Sequence, residues 1–238
     1  NLLSNVLASK RKVMLFNREL TNVEVLKKLI ALESGRLSYS MIRQGMYDVK
    51  QLQELDRVRE FIAKKYNADK FRMYDQIRDF PSSATEIKKF KPDIIFDDYI
   101  QLITPTGKED QRRLQLERIV NDYKWIAKEY NCVVILASQL NRALETRGNA
   151  RPQLSDLAES GAIEQVAENV FFVYYPYKVK GGKPEEKNQL VLVAAKVRYG
   201  ETGSIQMAYD GDKCKMYNSE DELFVPPMTE AEQNEIPF

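Results

Sequence analysis

Histidine is absent from the 238 residues. That removes imidazole general bases, Ser-His-Asp and Cys-His nucleophiles, and His-ligated metals. Cysteine occurs twice, as Cys132 inside NCVVILASQ and Cys214 in KCKMYN. Two thiols so placed give neither a disulfide framework nor a metal-binding spacing, so structural zinc is excluded. Glycine is sparse at 10 residues, and no internal repeat is visible. No apolar run approaches the ~18 residues a membrane span needs, and the opening NLLSNVLASKRKV lacks the basic-then-apolar order of a signal peptide. The chain therefore reads as soluble and cytoplasmic, with no membrane partner. The phosphate-loop string Gly-x-x-x-x-Gly-Lys-[Ser/Thr] is missing too: Gly107-Lys108 and Gly182-Lys183 are followed by Glu109 and Pro184. The chemistry left to the chain must use carboxylates, Lys, Arg, amides and hydroxyls.

What is present can build a core. Hydrophobic residues make up 43% and charged residues 30%, with 13 Tyr and 10 Phe, which argues against disorder, collagen and coiled coil. Lys plus Arg is 36 against 35 for Asp plus Glu, net +1, so no global basic field attracts nucleic acid, and only a local groove stays open. Residues 219–238 hold six acids, three prolines and no Lys or Arg. This stretch reads as a flexible acidic tail on a domain covering 1–218.

The runs KVMLFN (12–17), FRMYD (71–75), DIIFDD (93–98), CVVILASQ (132–139) and NVFFVYY (169–175) are short, apolar and separated by helical stretches. Continuous apolar runs alternating with helices indicate an α/β fold with a parallel sheet covered on both faces. Thr21 with Glu24 suggests a capping box, a second helix is expected over about 48–65, and Ser83 with Glu86 is expected to open a short third. The longest helix is expected over about 110–130, where Leu116, Ile119, Val120, Tyr123, Ile126, Ala127 and Tyr130 form one stripe. Beyond Asn169 the pattern becomes strand, glycine-containing loop, strand, with a second hairpin through Gly211-Asp212. An antiparallel hairpin extension at one edge of the sheet follows.

Asp97 and Asp98 end the buried run DIIFDD, where open α/β sheets bind ligands. Apolar residues running into Asp, here Ile94, Ile95 and Phe96, are the Walker B arrangement, and a solvated loop acid is the equally open alternative. Glu19 follows the first strand, suited either to polarising a water or to an ordinary first helical turn. Ser138 and Gln139 reach the same sheet edge, where Gln can sense a γ-phosphate or simply cap backbone groups. Lys196 and Arg198 lie two apart and project from one face, fitting either phosphate or edge-strand protection.

These pieces together resemble the C-terminal RecA-like ATPase domain of the DnaB family of replicative DNA helicases, in a phage-type member. The resemblance runs from Asn1 to about Asn218 and is carried by DDYIQL (97–102), ILASQLNR (135–142), LSDLAESGAIEQVAENVFFVY (154–174) and AAKVRYGETG (194–203), with LESGRLSYSMIRQGM (32–46) in support. It implies ATP and Mg²⁺ as cofactors, a homohexameric ring, single-stranded DNA in the pore, and the cytoplasm, a host's if the gene is phage-borne. It assigns Glu19 as the catalytic glutamate, although the family's usual Ser-Leu-Glu-Met is Asn-Arg-Glu-Leu here. Asp98, directly before Tyr-Ile-Gln-Leu, matches the Walker B and metal-binding aspartate, and Gln139 the glutamine coupling γ-phosphate to the DNA loops. Lys196 and Arg198 match the pair reaching a neighbouring protomer's ATP, a finger that contributes on the order of 10³–10⁵ in rate.

The implied DNA loops cover about 104–113, with Lys108, Arg112 and Arg113, and about 145–164, with Glu159, Ser160 and Gly161; Ala158 departs from the family's usual Arg. Mobile surface connections are the plain alternative for both. In the family a phosphate-binding loop and its helix precede a segment similar to NLLSNVLASKRKVMLF. The chain is thus expected to begin inside that helix and, taken alone, not to hold ATP tightly. The acidic tail resembles partner-docking tips, with a primase, helicase loader or polymerase as the expected contact. Rival readings are a RadA-type or KaiC-like ATPase, or a non-catalytic DNA-binding replisome scaffold.

Overall fold

The structure, a computed structural model, describes residues 1–107, 111–141, 151–157, 161–179 and 182–223. Helix α1 (Leu2–Ala8) leads into β1 (Val13–Asn17), followed by α2 (Asn22–Ser34), α3 (Tyr39–Gln44), α4 (Val49–Lys65) and β2 (Phe71–Tyr74). Next come α5 (Phe80–Phe90), β3 (Ile94–Asp98), α6 (Arg112–Glu129), β4 (Val133–Leu136) and α7 (Gly161–Val166). The described chain closes with β5 (Asn169–Tyr174), β6 (Gln189–Val197), β7 (Gly203–Asp210), β8 (Lys215–Tyr217) and a 3₁₀ turn, Glu220–Leu223.

The first four strands form a parallel sheet in the order β2-β1-β3-β4. All five residues of β1 are buried, as expected for a strand covered on both faces. Alternation divides them. Met14 and Phe16 join Ile95 and the α6 stripe Leu116, Ile119, Val120, Tyr123 and Ile126 in the largest core cluster. Val13 and Leu15 pack with Leu7 and Phe71 on the other face. Burying each such side chain contributes about 1.5–3 kcal/mol, so this two-sided packing fixes the strand ends that carry the site.

The C-terminal strands form a separate antiparallel sheet, β5-β6-β7-β8. Both expected hairpins are present, but among the described residues no ladder runs from β4 to β5, so the extension is a second sheet rather than an edge of the first. Val170, Phe172 and Val193 give it an inner face packed on Leu140, Leu154 and Leu157. The first residue pins it to the start of the chain: the Asn1 amide donates to the Cys214 carbonyl at 2.9 Å and accepts from the Met216 N–H at 2.9 Å. The Tyr39 N–H donates to the Asp212 carbonyl at 2.6 Å.

Helix starts differ from the sequence expectation in two places. The Thr21 hydroxyl accepts from the Glu24 N–H at 3.2 Å, but the Glu24 carboxylate turns to Lys27 at 2.9 Å and the Tyr39 hydroxyl at 2.8 Å, so only half of that capping box forms. The complete box is Asp48 with Gln51. Helix α5 begins before Ser83, with Asp79 as its cap accepting from the Ser82 N–H at 2.8 Å. Ser83 is instead fully buried one turn into the helix. Of the expected tail, Glu220–Leu223 form the 3₁₀ turn, with Glu222 accepting from the Asn218 N–H at 3.1 Å, and residues 224–238 lie outside the described residues.

Candidate functional site

The carboxyl ends of β1, β3 and β4 gather the expected groups. Asn17 and Asp98 are register partners, and the Arg18 N–H donates to the Asp98 carbonyl at 2.8 Å, so Glu19 leaves β1 beside Asp98. Glu19 is exposed and Asp98 half-buried. The Asp98 carboxyl is held above its ordinary range, first by burial and then by the negative charge of Glu19, with Lys28 of α2 opposing. Two neighbouring carboxylates, one partly dehydrated, favour a cation beside them. Among the described residues no group of three or more acidic, Cys or His side chains forms a metal cluster. That donor set fits Mg²⁺, which characteristically takes one or two protein carboxylates together with substrate phosphates. A phosphate cradle is assigned to none of the 238 residues, since the glycine-loop string is not among them.

Asp97 faces the other way. It is 1% exposed and receives the Arg18 guanidinium in a bidentate pair, Nε to Oδ1 and Nη2 to Oδ2, both at 2.6 Å. Nη2 also donates to Ser83 Oγ at 3.0 Å and Nη1 to the Ile77 carbonyl at 3.0 Å, while the Tyr123 hydroxyl donates to Asp97 Oδ2. Burial opposes the Arg18 charge, but the Asp97 hydrogen bonds and charge outweigh it and raise its affinity for the proton. Tyr123 is pushed well above its usual value, first by burial and then by the Asp97 charge. Sequence reasoning missed Arg18, Ser83, Tyr123 and Lys28. A signal did exist for Arg18: a cation just beyond the apolar run Val13 to Phe16, if drawn inward, needs a buried anion.

Gln139 follows β4 and is exposed. Its N–H donates to Gln101 Oε1 at 3.2 Å, and Gln101 Nε2 donates to Ser138 Oγ at 2.9 Å, so Gln101 clips the segments after β3 and β4 together. Lys196 and Arg198 lie elsewhere within the chain. Lys196 Nζ donates to the Glu164 carbonyl at 2.6 Å and the Gln165 carbonyl at 3.4 Å, at the C-terminal end of α7. Arg198 Nη1 reaches Glu168 at 3.5 Å, a carboxylate that also accepts from Lys124 and is thereby held below its usual range. Arg112 opens α6 half-buried, with Nη2 on the Gln101 carbonyl at 2.5 Å and Nη1 on Gln115 at 3.1 Å. Arg113 is exposed beside it, and Gly161 is the exposed first residue of α7. Lys108, Glu159 and Ser160 lie outside the described residues.

A four-stranded parallel sheet with helices on both faces, acids at its carboxyl edge and an appended antiparallel sheet define a RecA-like ATPase domain. The particular family follows from comparison. The model of the DnaB-like helicase C-terminal domain matches residues 1–218, and the chain belongs to that family. It is similar to the replicative DNA helicase DnaB of Haemophilus influenzae, 29% identical over 227 residues, covering 92% of this chain and 47% of the relative. The Rickettsia bellii DnaB is 37% identical over 160 residues, 59% of this chain and 32% of the relative. A DnaB-like replicative helicase solved for its interactions with primase superposes with a TM-score of 0.81 at 28% identity, over 91% of this chain and 52% of that one. A solved ATPase domain gives 0.80 at 29%, over 91% and 78%. The chain thus spans about a third to a half of the curated relatives it matches.

Proposed function

We propose that the protein is a replicative DNA helicase motor, hydrolysing ATP with Mg²⁺ to translocate on single-stranded DNA and unwind duplex as a homohexameric ring. The observation that carries the reading is the placement of Glu19, two residues beyond the register partner of Asp98 and near enough to raise its carboxyl, at the carboxyl edge of a RecA-like sheet in a chain of the DnaB-like family. Asp98 would hold Mg²⁺, which when bound would supply positive charge to offset the charge of the ATP phosphates. Glu19, exposed and one step further out, accepts the proton of the attacking water. Gln139, linked through its backbone and Gln101 to the segment after β3, reports the γ-phosphate to the DNA loops.

Lys196 and Arg198 make no hydrogen bond or ion pair with Glu19 or Asp98 among the described residues, which supports their acting on a neighbouring protomer's nucleotide. Lys108, Arg112, Arg113, Glu159, Ser160 and Gly161 belong to the two segments assigned to single-stranded DNA. A primase, loader or polymerase is the proposed partner of the acidic tail, and the cytoplasm the proposed location; no helix of the described residues is long and apolar enough to cross a membrane. The test is ATP hydrolysis by the full-length protein with and without single-stranded DNA. DNA-stimulated turnover abolished by Glu19→Gln is expected; turnover untouched by that change would refute the assignment.

A further inference from the structure

Arg18 and Asp97 directly precede the two carboxylates of the site, Arg18 just beyond β1 and Asp97 on the neighbouring strand β3. Alternation sends their side chains to the α5–α6 face of the sheet, behind Glu19 and Asp98. Both side chains are wholly shielded from solvent. Their contacts converge from four elements: Arg18 beyond β1, Asp97 on β3, Ser83 on α5 and Tyr123 on α6. The carbonyl of Arg18 itself accepts from Arg78 Nη1 at 3.2 Å, and its N–H is committed to Asp98. The backbone on which Glu19 hangs is therefore held on both sides and through its neighbour's side chain.

A buried ion pair is a poor device for stability alone, because dehydrating two charges consumes most of their attraction, and apolar residues of like volume serve as well or better. Its distinct property is direction. A bidentate guanidinium–carboxylate fork fixes distance and angle together, as apolar packing does not.

We propose that Arg18 and Asp97, locked by Tyr123, are positioning residues for hydrolysis: the fork spans the ends of β1 and β3 and sets the separation of the Glu19 and Asp98 carboxylates. This rests on the reading of those two acids as the water-activating and Mg²⁺-holding groups. Neither Arg18 nor Asp97 touches nucleotide. Both act by keeping Glu19 where its water will be, and misplacement by an ångström there is costly.

The test compares the full-length protein with the double variant Arg18→Leu/Asp97→Leu, which removes the fork without leaving a lone buried charge. Folding is followed by thermal melting, hydrolysis by kcat and KM for ATP in saturating single-stranded DNA, and the Glu19–Asp98 separation by crystal structures of both proteins. The proposal expects a folded variant with altered carboxylate separation, kcat lowered about tenfold and KM changed by less than about twofold, the pattern of a lost transition-state interaction. An unchanged separation with parental kcat overturns it. Altered separation with parental kcat would instead overturn the underlying assignment of Glu19 and Asp98. Should the double variant not fold, Tyr123→Phe keeps both charges and removes only the lock; a fall in kcat of about threefold is expected, and parental kcat overturns the proposal.

Discussion

Replacing Arg18 by Leu strands the Asp97 carboxylate in the interior with the Tyr123 hydroxyl as its remaining side-chain partner. Breaking one side of a buried pair costs about 3–5 kcal/mol, because the survivor is an uncompensated charge. For a domain of this size that is a fall in Tm of about 10 °C. Asp97→Leu strands Arg18 in the same way, although Ser83 and the Ile77 carbonyl still receive its donors, so its cost is similar or slightly less. Removing both differs. Ser83 Oγ retains its bond to the Asp79 carbonyl at 2.9 Å, the part-buried Ile77 carbonyl loses its Arg18 donor, and the buried Tyr123 hydroxyl is orphaned at a penalty of about 1–3 kcal/mol. The double variant should therefore be more stable than either single one. Chemical denaturation of all four proteins closes the cycle and gives a coupling of several kcal/mol. Additive single costs, with the double variant least stable of all, would refute the argument that the two charges are buried as a unit.

Two further outcomes follow from the titrating groups. Asp98 has its folded carboxyl raised by burial and by Glu19, so above both its folded and unfolded pKa values its charge costs stability. Asp98→Asn should raise Tm at neutral pH while abolishing hydrolysis, and a lowered Tm would contradict the assigned sign. Glu33 shows the opposite case. Burial raises its carboxyl, but hydrogen bonds from Lys65 at 2.8 Å, Tyr66 at 2.6 Å and Ser4 at 2.7 Å together hold it below its usual range. Its contribution is full above the unfolded value and lost as pH falls through the folded one. Glu33→Gln should flatten the acid limb of a Tm-against-pH curve, and an unchanged limb would show that other acids control it.

The parallel core was legible because its signals are local. A short continuous apolar run, and a helix whose apolar residues recur every three or four positions, announce themselves within a dozen residues. Asp98 and Glu19 were singled out as candidates by their place at or just beyond the ends of such strands. What the sequence concealed depends on pairs distant in the chain. Arg18 and Asp97 lie 79 residues apart, and nothing in either segment names the other. The start of α5 was misplaced for a related reason: Ser83 with Glu86 satisfies the local capping pattern, but Ser83 is drawn inward to Arg18 and the cap passes to Asp79. The separation of the antiparallel strands into their own sheet was equally hidden, since strand runs reveal pairing but not which sheet receives them.

The Asn1 side chain, through Cys214 and Met216, ties the start of α1 to the antiparallel sheet. Helix α1 leads into β1, whose far end carries Glu19, while β8 closes the sheet that bears Lys196 and Arg198. Two amide contacts thus join α1 to the outer hairpin without passing through the parallel sheet. Asn1 is a strap between the helix that leads into the strand before Glu19 and the sheet that carries Lys196.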